Sequence, residues 1–202
     1  LAACGLNLTH MPQLFEGNQV TGTLQSDLAS RWGLSEVPVV AGAGDNAAGA
    51  IGVGLVEPGQ GMISLGTSGV YFVVTDRFSQ QAELAVHSFC HALPNRWHLM
   101  SVMLSAASCL DWFAKQIVEG DIGQLLEQLE NNPANQKTAP YFLPYLSGER
   151  TPHNDPLAQG AFIGLTHNSS KLDMLHAVLE GVCFAFADGV DALHQSGTKA
   201  SE

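Results

Sequence analysis

Residues 37–65, VPVVAGAGDNAAGAIGVGLVEPGQGMISL, constrain this chain more than any other stretch, and they run straight into Gly66-Thr67-Ser68-Gly69. Residues 37–40 form a β-branched, uncharged run that predicts a short buried strand. Gly42 and Gly44 predict a turn after it. The small residues from Asn46 to about Val53 predict a helix. Asp45 therefore falls where a strand ends and a helix begins, the end at which open α/β sheets collect ligands. Further on, residues 61–65 predict a second strand that ends in a glycine-flanked hydroxyl loop. One place offers a carboxylate and the other backbone N–H groups. Phosphoryl transfer uses both: a base for the acceptor hydroxyl and a cradle for the donor phosphates.

Each part of that pattern has a plainer reading. Aspartate is among the best helix N-caps, so Asp45 could simply cap the helix. Gly42-Ala43-Gly44-Asp45-Asn46-Ala47 also fits the dinucleotide fingerprint G-x-G-x-x-A. Against that fingerprint, a carboxylate directly after the second glycine would repel a pyrophosphate. The acidic residue expected about 20 positions on is replaced by Leu65, Gly66 and Thr67. The 66–69 loop could be an ordinary hairpin turn or a nest of N–H groups and two hydroxyls that holds phosphate oxygens. The helix after Asp45 carries Ala47, Ala48, Gly49, Ala50, Gly52 and Gly54. Each helical glycine costs about 1 kcal/mol relative to alanine, so the run predicts close approach of a backbone or ligand.

Composition narrows the partners. Eight basic and nineteen acidic residues leave a formal net charge of −11, and the chain has no basic stripe. Nucleic acid and anionic membrane are therefore not expected partners. No predominantly apolar run reaches the ~18 residues of a membrane span. No basic segment precedes an apolar core at the start, so no signal peptide is expected. Cys4, Cys90, Cys109 and Cys183 lack framework spacing. They read as free thiols in a reducing cytoplasm.

The remaining elements follow from periodicity and punctuation. Residues 20–24 predict a strand. Residues 26–32 predict a helix capped by Ser26 or Asp27 and stopped by Gly33. Glu57-Pro58-Gly59-Gln60-Gly61 predicts a hinge and a domain boundary. Residues 85–103 contain His87, Cys90, His91 and His98. A zinc site is one reading of them. Two strands with half-buried histidines around a Pro94-Asn95 turn is the other. Helices are predicted over 104–116, 122–129 and 171–194, and a polar loop over 131–138. Strands are predicted over 141–146, bent or at an edge because of Pro144, and over 160–165. The last helix presents Leu172, Leu175, Val178, Leu179, Val182 and Phe186 on one face, which reads as core. Glu149 and Arg150 read either as a surface pair, worth little, or as a brace.

Several motifs together resemble the FGGY family of carbohydrate kinases. They are GAGDNAAGAIGVG followed by MISLGTSGVYF, then PYLSGERTPHNDPLAQGAFIGLTHNSS, and residues 160–165 followed by 173–180. The likeness covers essentially the whole chain. AVHSFCHALPNRWHLMSVMLSAASCLDW and FLPYLSGERTPHNDP are similar to the bacterial members that act on D-xylulose. The resemblance implies an α/β class with actin-like, ribonuclease H-like ATPase domains that close on sugar and ATP. It implies that Asp45 takes the proton of the attacking sugar hydroxyl and that Asn46 touches the sugar. Gly66, Thr67 and Ser68 would steady the β- and γ-phosphates of ATP, with Mg²⁺ bridging those phosphates and no side-chain metal site. It also implies that Glu149 and Arg150 brace the domain cleft.

No D-x-G-T-x-x-x-K-like segment stands near Leu1, and no G-G-G-A-like loop follows the final helix. Residues 1–57 are therefore expected to be the end of the sugar-binding first domain. Residues 58–202 are expected to be most of the nucleotide-binding second domain. Such a fragment is expected to be inactive alone. A sibling kinase for glycerol, gluconate or another pentulose remains open. So does a folding or interaction module, and open sheet edges make a homo-oligomer conceivable.

Overall fold

A computed structural model describes residues 1–132, 139–198 and 200. They form two compact units, Leu1–Val56 with Cys90–Arg96, and Glu57–Phe89 with Trp97–Glu202.

The first unit contains β1 (Val20–Thr23), α1 (Ser26–Trp32), β2 (Pro38–Val40) and α2 (Asp45–Gly52). β1 and β2 pair antiparallel, Val20 opposite Val40 and Thr23 opposite Pro38, with an irregularity between Val20 and Gly22. The expectation that residues 37–40 are buried is corrected: Val39 is 43% and Val40 52% exposed. A two-stranded ribbon has too little surface to bury both faces of its own side chains. α1 stops at Gly33, which takes the left-handed conformation (φ 67°) and donates to the Ala29 and Ser30 carbonyls. Its cap is Gln25, not Ser26 or Asp27, and no side chain bonds there. In α2, Ala47 and Ala50 are buried, one turn apart on the same face. Among the described residues, a Cβ at Gly49 or Gly52 of α2, or at Gly54 beyond it, would meet nothing within 4 Å. Ala47 and Ala50 face inward, and Ala48 is exposed.

The second unit is built on a four-stranded sheet of order β3-β4-β6-β5, from β3 (Gly61–Leu65), β4 (Gly69–Thr75), β5 (His87–Cys90) and β6 (Trp97–Met103). β3 pairs antiparallel with β4, Leu65 opposite Gly69. β4 pairs antiparallel with β6, Gly69 opposite Met103. β4 lies between two neighbours, and Phe72, Val73 and Val74 are at most 1% exposed. That is why its apolar run is continuous rather than alternating.

β6 leads to α3 (Ala107–Trp112), which continues as a π-helical turn over Phe113–Ile117. The helix starts three residues later than the predicted 104–116. The N–H groups of Leu104 and Ala106 are held by partners outside any helix, the Glu149 carboxylate and the Thr67 carbonyl. α4 (Ile122–Asn131) is capped by Asp121, whose carboxylate accepts the Gln124 N–H at 3.0 Å. Of the predicted polar loop 131–138, residues 133–138 lie outside the described residues. β7 (Tyr141–Leu143) and β8 (Ala161–Ile163) pair antiparallel. Both are shorter than predicted; Pro144 has no N–H with which to extend β7.

α5 (Lys171–Gln195) opens on a capping box in which Ser170 and Asp173 bond each other's backbone N–H. Its first half packs Leu175, Ala177 and Val178 against Cys109, Phe113, Leu125 and Phe142. Its second half packs Ala192 and Leu193 against Tyr71, Val73 and Leu99 of the sheet. Two glycines permit this approach. A Cβ at Gly181 would overlap the Phe142 carbonyl oxygen, and one at Gly189 would stand 2.5 Å from the Ser101 hydroxyl. No described helix is long and apolar enough to cross a membrane.

Candidate functional site

In the first unit the chain leaves β2 and turns at Gly42, which is left-handed (φ 77°) and donates to the Gly17 carbonyl at 2.9 Å. Gly17 has no room for a side chain, because a Cβ there would stand 2.5 Å from the Ala92 carbonyl. Around this junction lies a cavity of about 560 Å³, lined among others by Glu16, Gln19, Gly42, Gly44, Cys90 and His91. Burial, and secondarily the Arg96 charge, lower the pKa of His91 against a backbone hydrogen bond at Leu55 that raises it. These influences together favour the neutral ring. Cys90, His91 and Ala92 were not connected with this junction in the sequence. They come from a hairpin far along the chain, and no local pattern announces the contact.

Asp45 follows Gly44 as the first helical residue of α2. The cap is Gly44, so the capping reading of Asp45 does not hold. Asp45 is exposed. Its Oδ1 accepts the Asn46 N–H at 2.8 Å and the Asn46 side-chain amide at 3.4 Å. Its Oδ2 makes no hydrogen bond among the described residues. Asn46 thus holds one oxygen of the carboxylate, and the other is left open among the described residues.

In the second unit the β3–β4 hairpin closes through Gly66, Thr67 and Ser68. The Gly66 N–H donates to the Ser68 carbonyl at 3.0 Å. The predicted nest is thereby reduced by one donor: Gly66 shapes the turn but its amide points inward. The amides and hydroxyls of Thr67 and Ser68 make no hydrogen bond among the described residues, and both residues are exposed. The loop hangs from the start of α3 by its carbonyls. Gly66 accepts from Ala107 at 3.0 Å, and Thr67 accepts from Ala106 at 2.9 Å and from the Ser108 hydroxyl at 2.8 Å. Carbonyls turned toward the helix leave amide donors turned outward. Gly69, next in line, is locked between Phe186 and Met103, which a Cβ would meet at 2.5 and 2.7 Å.

Glu149 and Arg150 do not form a surface pair. Glu149 is 2% exposed. Its Oε1 accepts the Leu104 N–H at 3.0 Å and the Arg150 N–H at 2.7 Å, while Oε2 has no partner among the described residues. Burial raises its pKa, against the two backbone hydrogen bonds and the electrostatic influence of His153 and Arg150, which lower it. Arg150 turns the other way, its guanidinium 3.4 Å from the His87 ring. Burial and this charge lower the His87 pKa. No group of three or more His, Cys, Asp or Glu that could hold a metal occurs among the described residues.

Cys109 is part of the core beneath α5 and feels the Glu149 carboxylate. Burial first, then the Glu149 charge, push its pKa up to about 12. Cys4, Cys90 and Cys183 are exposed. At pH 8 a thiol-specific reagent is expected to label those three in the native protein and Cys109 only after denaturation. Fast labelling of Cys109 in the folded state would contradict its burial. Below pH 9 the thiol is protonated in both folded and unfolded chains. Above it only the unfolded thiol ionises, so this group lowers stability as pH rises from 9 toward 12.

The C-terminal domain of the FGGY family of carbohydrate kinases matches residues 61–202, and its N-terminal domain matches residues 1–52. The chain is 56% identical to xylulose kinase of Escherichia coli (strain K12) and 54% identical to that of Klebsiella pneumoniae. Each match covers 98% of this chain and 41% of the relative. The crystal structure of a xylulose kinase from Brucella ovis superposes with a TM-score of 0.92 at 48% identity, over 100% of this chain and 41% of that one. The chain thus spans about two fifths of the length of these relatives. Its fold is that of the sugar kinases, an α/β, actin-like ATPase architecture of which part is present. By these matches, the chain belongs to the FGGY family of carbohydrate kinases.

Proposed function

We propose that the whole protein to which this chain belongs transfers the γ-phosphoryl group of ATP to a hydroxyl of D-xylulose, giving D-xylulose 5-phosphate and ADP. The observation that carries this reading is 56% identity to a xylulose kinase along a chain that presents Asp45 with one carboxylate oxygen open. Residues 1–57 belong to the sugar-binding domain and residues 58–202 to the nucleotide-binding domain. Asp45 accepts the proton of the sugar hydroxyl as its oxygen bonds to phosphorus. The bond from phosphorus to the ADP oxygen breaks, and ADP leaves with that electron pair. Asn46 orients Asp45 and touches the sugar. The amides and hydroxyls of Thr67 and Ser68 hold the β- and γ-phosphate oxygens, and Gly66 gives the loop its turn.

Mg²⁺ fits this chain as an ion carried on the nucleotide. The described residues offer it no side-chain cage, and Mg²⁺ ordinarily keeps water and substrate phosphates as ligands. When bound it neutralises phosphate charge. The four free thiols fit a reducing cytoplasm.

A coupled assay for ADP release tests the proposal. The whole protein is expected to turn over D-xylulose in preference to glycerol, gluconate and other pentuloses. The 202-residue chain alone is expected to give no turnover. A clear preference for another of these acceptors would assign the site to that sugar instead.

A further inference from the structure

We infer that Glu149 is a positioning residue for the phosphate loop, acting through the turn between β6 and α3; this rests on the function proposed above. The loop residues Gly66 and Thr67 have no support of their own beyond the hairpin. Their carbonyls are held by Ala106, Ala107 and Ser108. Those three residues follow Leu104 and Ser105, a stretch that has left the β6 ladder and not yet entered a helix. The Leu104 N–H therefore has no strand or helix partner. The Glu149 Oε1 supplies one, at 3.0 Å.

The carboxylate is itself fixed at the far side. The Glu149 N–H donates to Asp155 and the Asp155 N–H donates back, both at 2.9 Å. Thr151 ties the same loop to the sheet: its hydroxyl accepts the Val102 N–H at 3.1 Å and donates to the Ala85 carbonyl at 3.0 Å. Hydrogen bonds from Glu149 to Leu104, and from Ala106, Ala107 and Ser108 to the carbonyls of Gly66 and Thr67, thus act on one short covalent stretch of backbone. A buried carboxylate whose second oxygen has no partner among the described residues is a costly way to satisfy two backbone amides, those of Leu104 and Arg150. A side-chain oxygen held at this distance fixes the Leu104 amide, and that stiffness is what a phosphate-holding loop requires.

The test uses the whole protein and measures kcat and KM for ATP and for the sugar separately. Glu149→Ala is expected to lower kcat/KM for ATP at least about tenfold, with the sugar KM within about twofold of wild type. Glu149→Gln keeps an oxygen for Leu104 and is expected to restore most of the loss. If Glu149→Ala does not fold, Glu149→Asp replaces it; it keeps the charge but falls one methylene short of Leu104, and the same ATP-specific loss is expected. A folded Ala or Asp variant with unchanged ATP kinetics overturns the inference. So does an equal loss for both substrates, or folding of Gln alone, each of which makes the role structural. A wild-type protein without ATP-dependent sugar phosphorylation would overturn the functional reading instead.

Discussion

Asp45→Asn in the whole protein is expected to lower kcat by about 10²–10⁴-fold, the range associated with loss of a positioned general base. That is about 3–5 kcal/mol of activation free energy. Asparagine is the informative replacement. Its side-chain oxygen can still accept the Asn46 N–H that Asp45 accepts at 2.8 Å, so the α2 start keeps its geometry. Only the negative charge and the proton-accepting oxygen are lost. Stability should fall little, by about 0.3–1 kcal/mol, the usual value of a carboxylate near a helix N-terminus. Asp45 is exposed, and the cap of its helix is Gly44, so folding has little stake in it. Retention of more than about a tenth of wild-type kcat would remove the base assignment. A large fall in the urea midpoint with kcat kept would return Asp45 to a structural role.

Gly181→Ala is expected to destabilise the fold by about 2 kcal/mol. In an unobstructed helix the same change would stabilise by about 1 kcal/mol through propensity. Here the new methyl would overlap the Phe142 carbonyl oxygen, with the carbonyl carbon 3.1 Å away. Those are backbone atoms of β7, which cannot rotate aside as a side-chain tip would. Overpacking of this kind costs about 1–3 kcal/mol, and an immovable neighbour puts it at the upper end. The urea midpoint should fall accordingly. A midpoint unchanged or raised would mean that α5 does not press on β7 at this position.

Much of this was legible in the chain. α1 over 26–32 ends at the glycine stop its sequence offers, and α5 over 171–195 matches the span of its periodic apolar face to within a residue. The glycine-flanked hairpin and the helix opening at Asp45 also stand where turn chemistry puts them. What failed did so for reasons of distance along the chain. Burial of residues 37–40 was inferred from a β-branched run, but β-branching reports fitness for a strand, not what covers it. Residues 104–106 have helix-compatible composition, yet they are drawn out as a connector because Glu149 and Thr67, 45 and 39 positions away, take their N–H groups. The inward turn of the Gly66 amide is likewise invisible in a Gly-Thr-Ser-Gly string.

Residue order alone determined which groups could do chemistry: a carboxylate after a glycine turn, two hydroxyls in a tight hairpin, and a helix whose apolar stripe must be core. Local sterics and periodicity decide those, and both act over a few residues. The tertiary structure alone decided which groups remain available. It left one oxygen of Asp45 open, withdrew the Gly66 N–H, and buried Glu149 under the turn that carries the loop. Hydrogen-bond partners and burial are set by segments that meet only after folding, so no local reading of the chain can assign them.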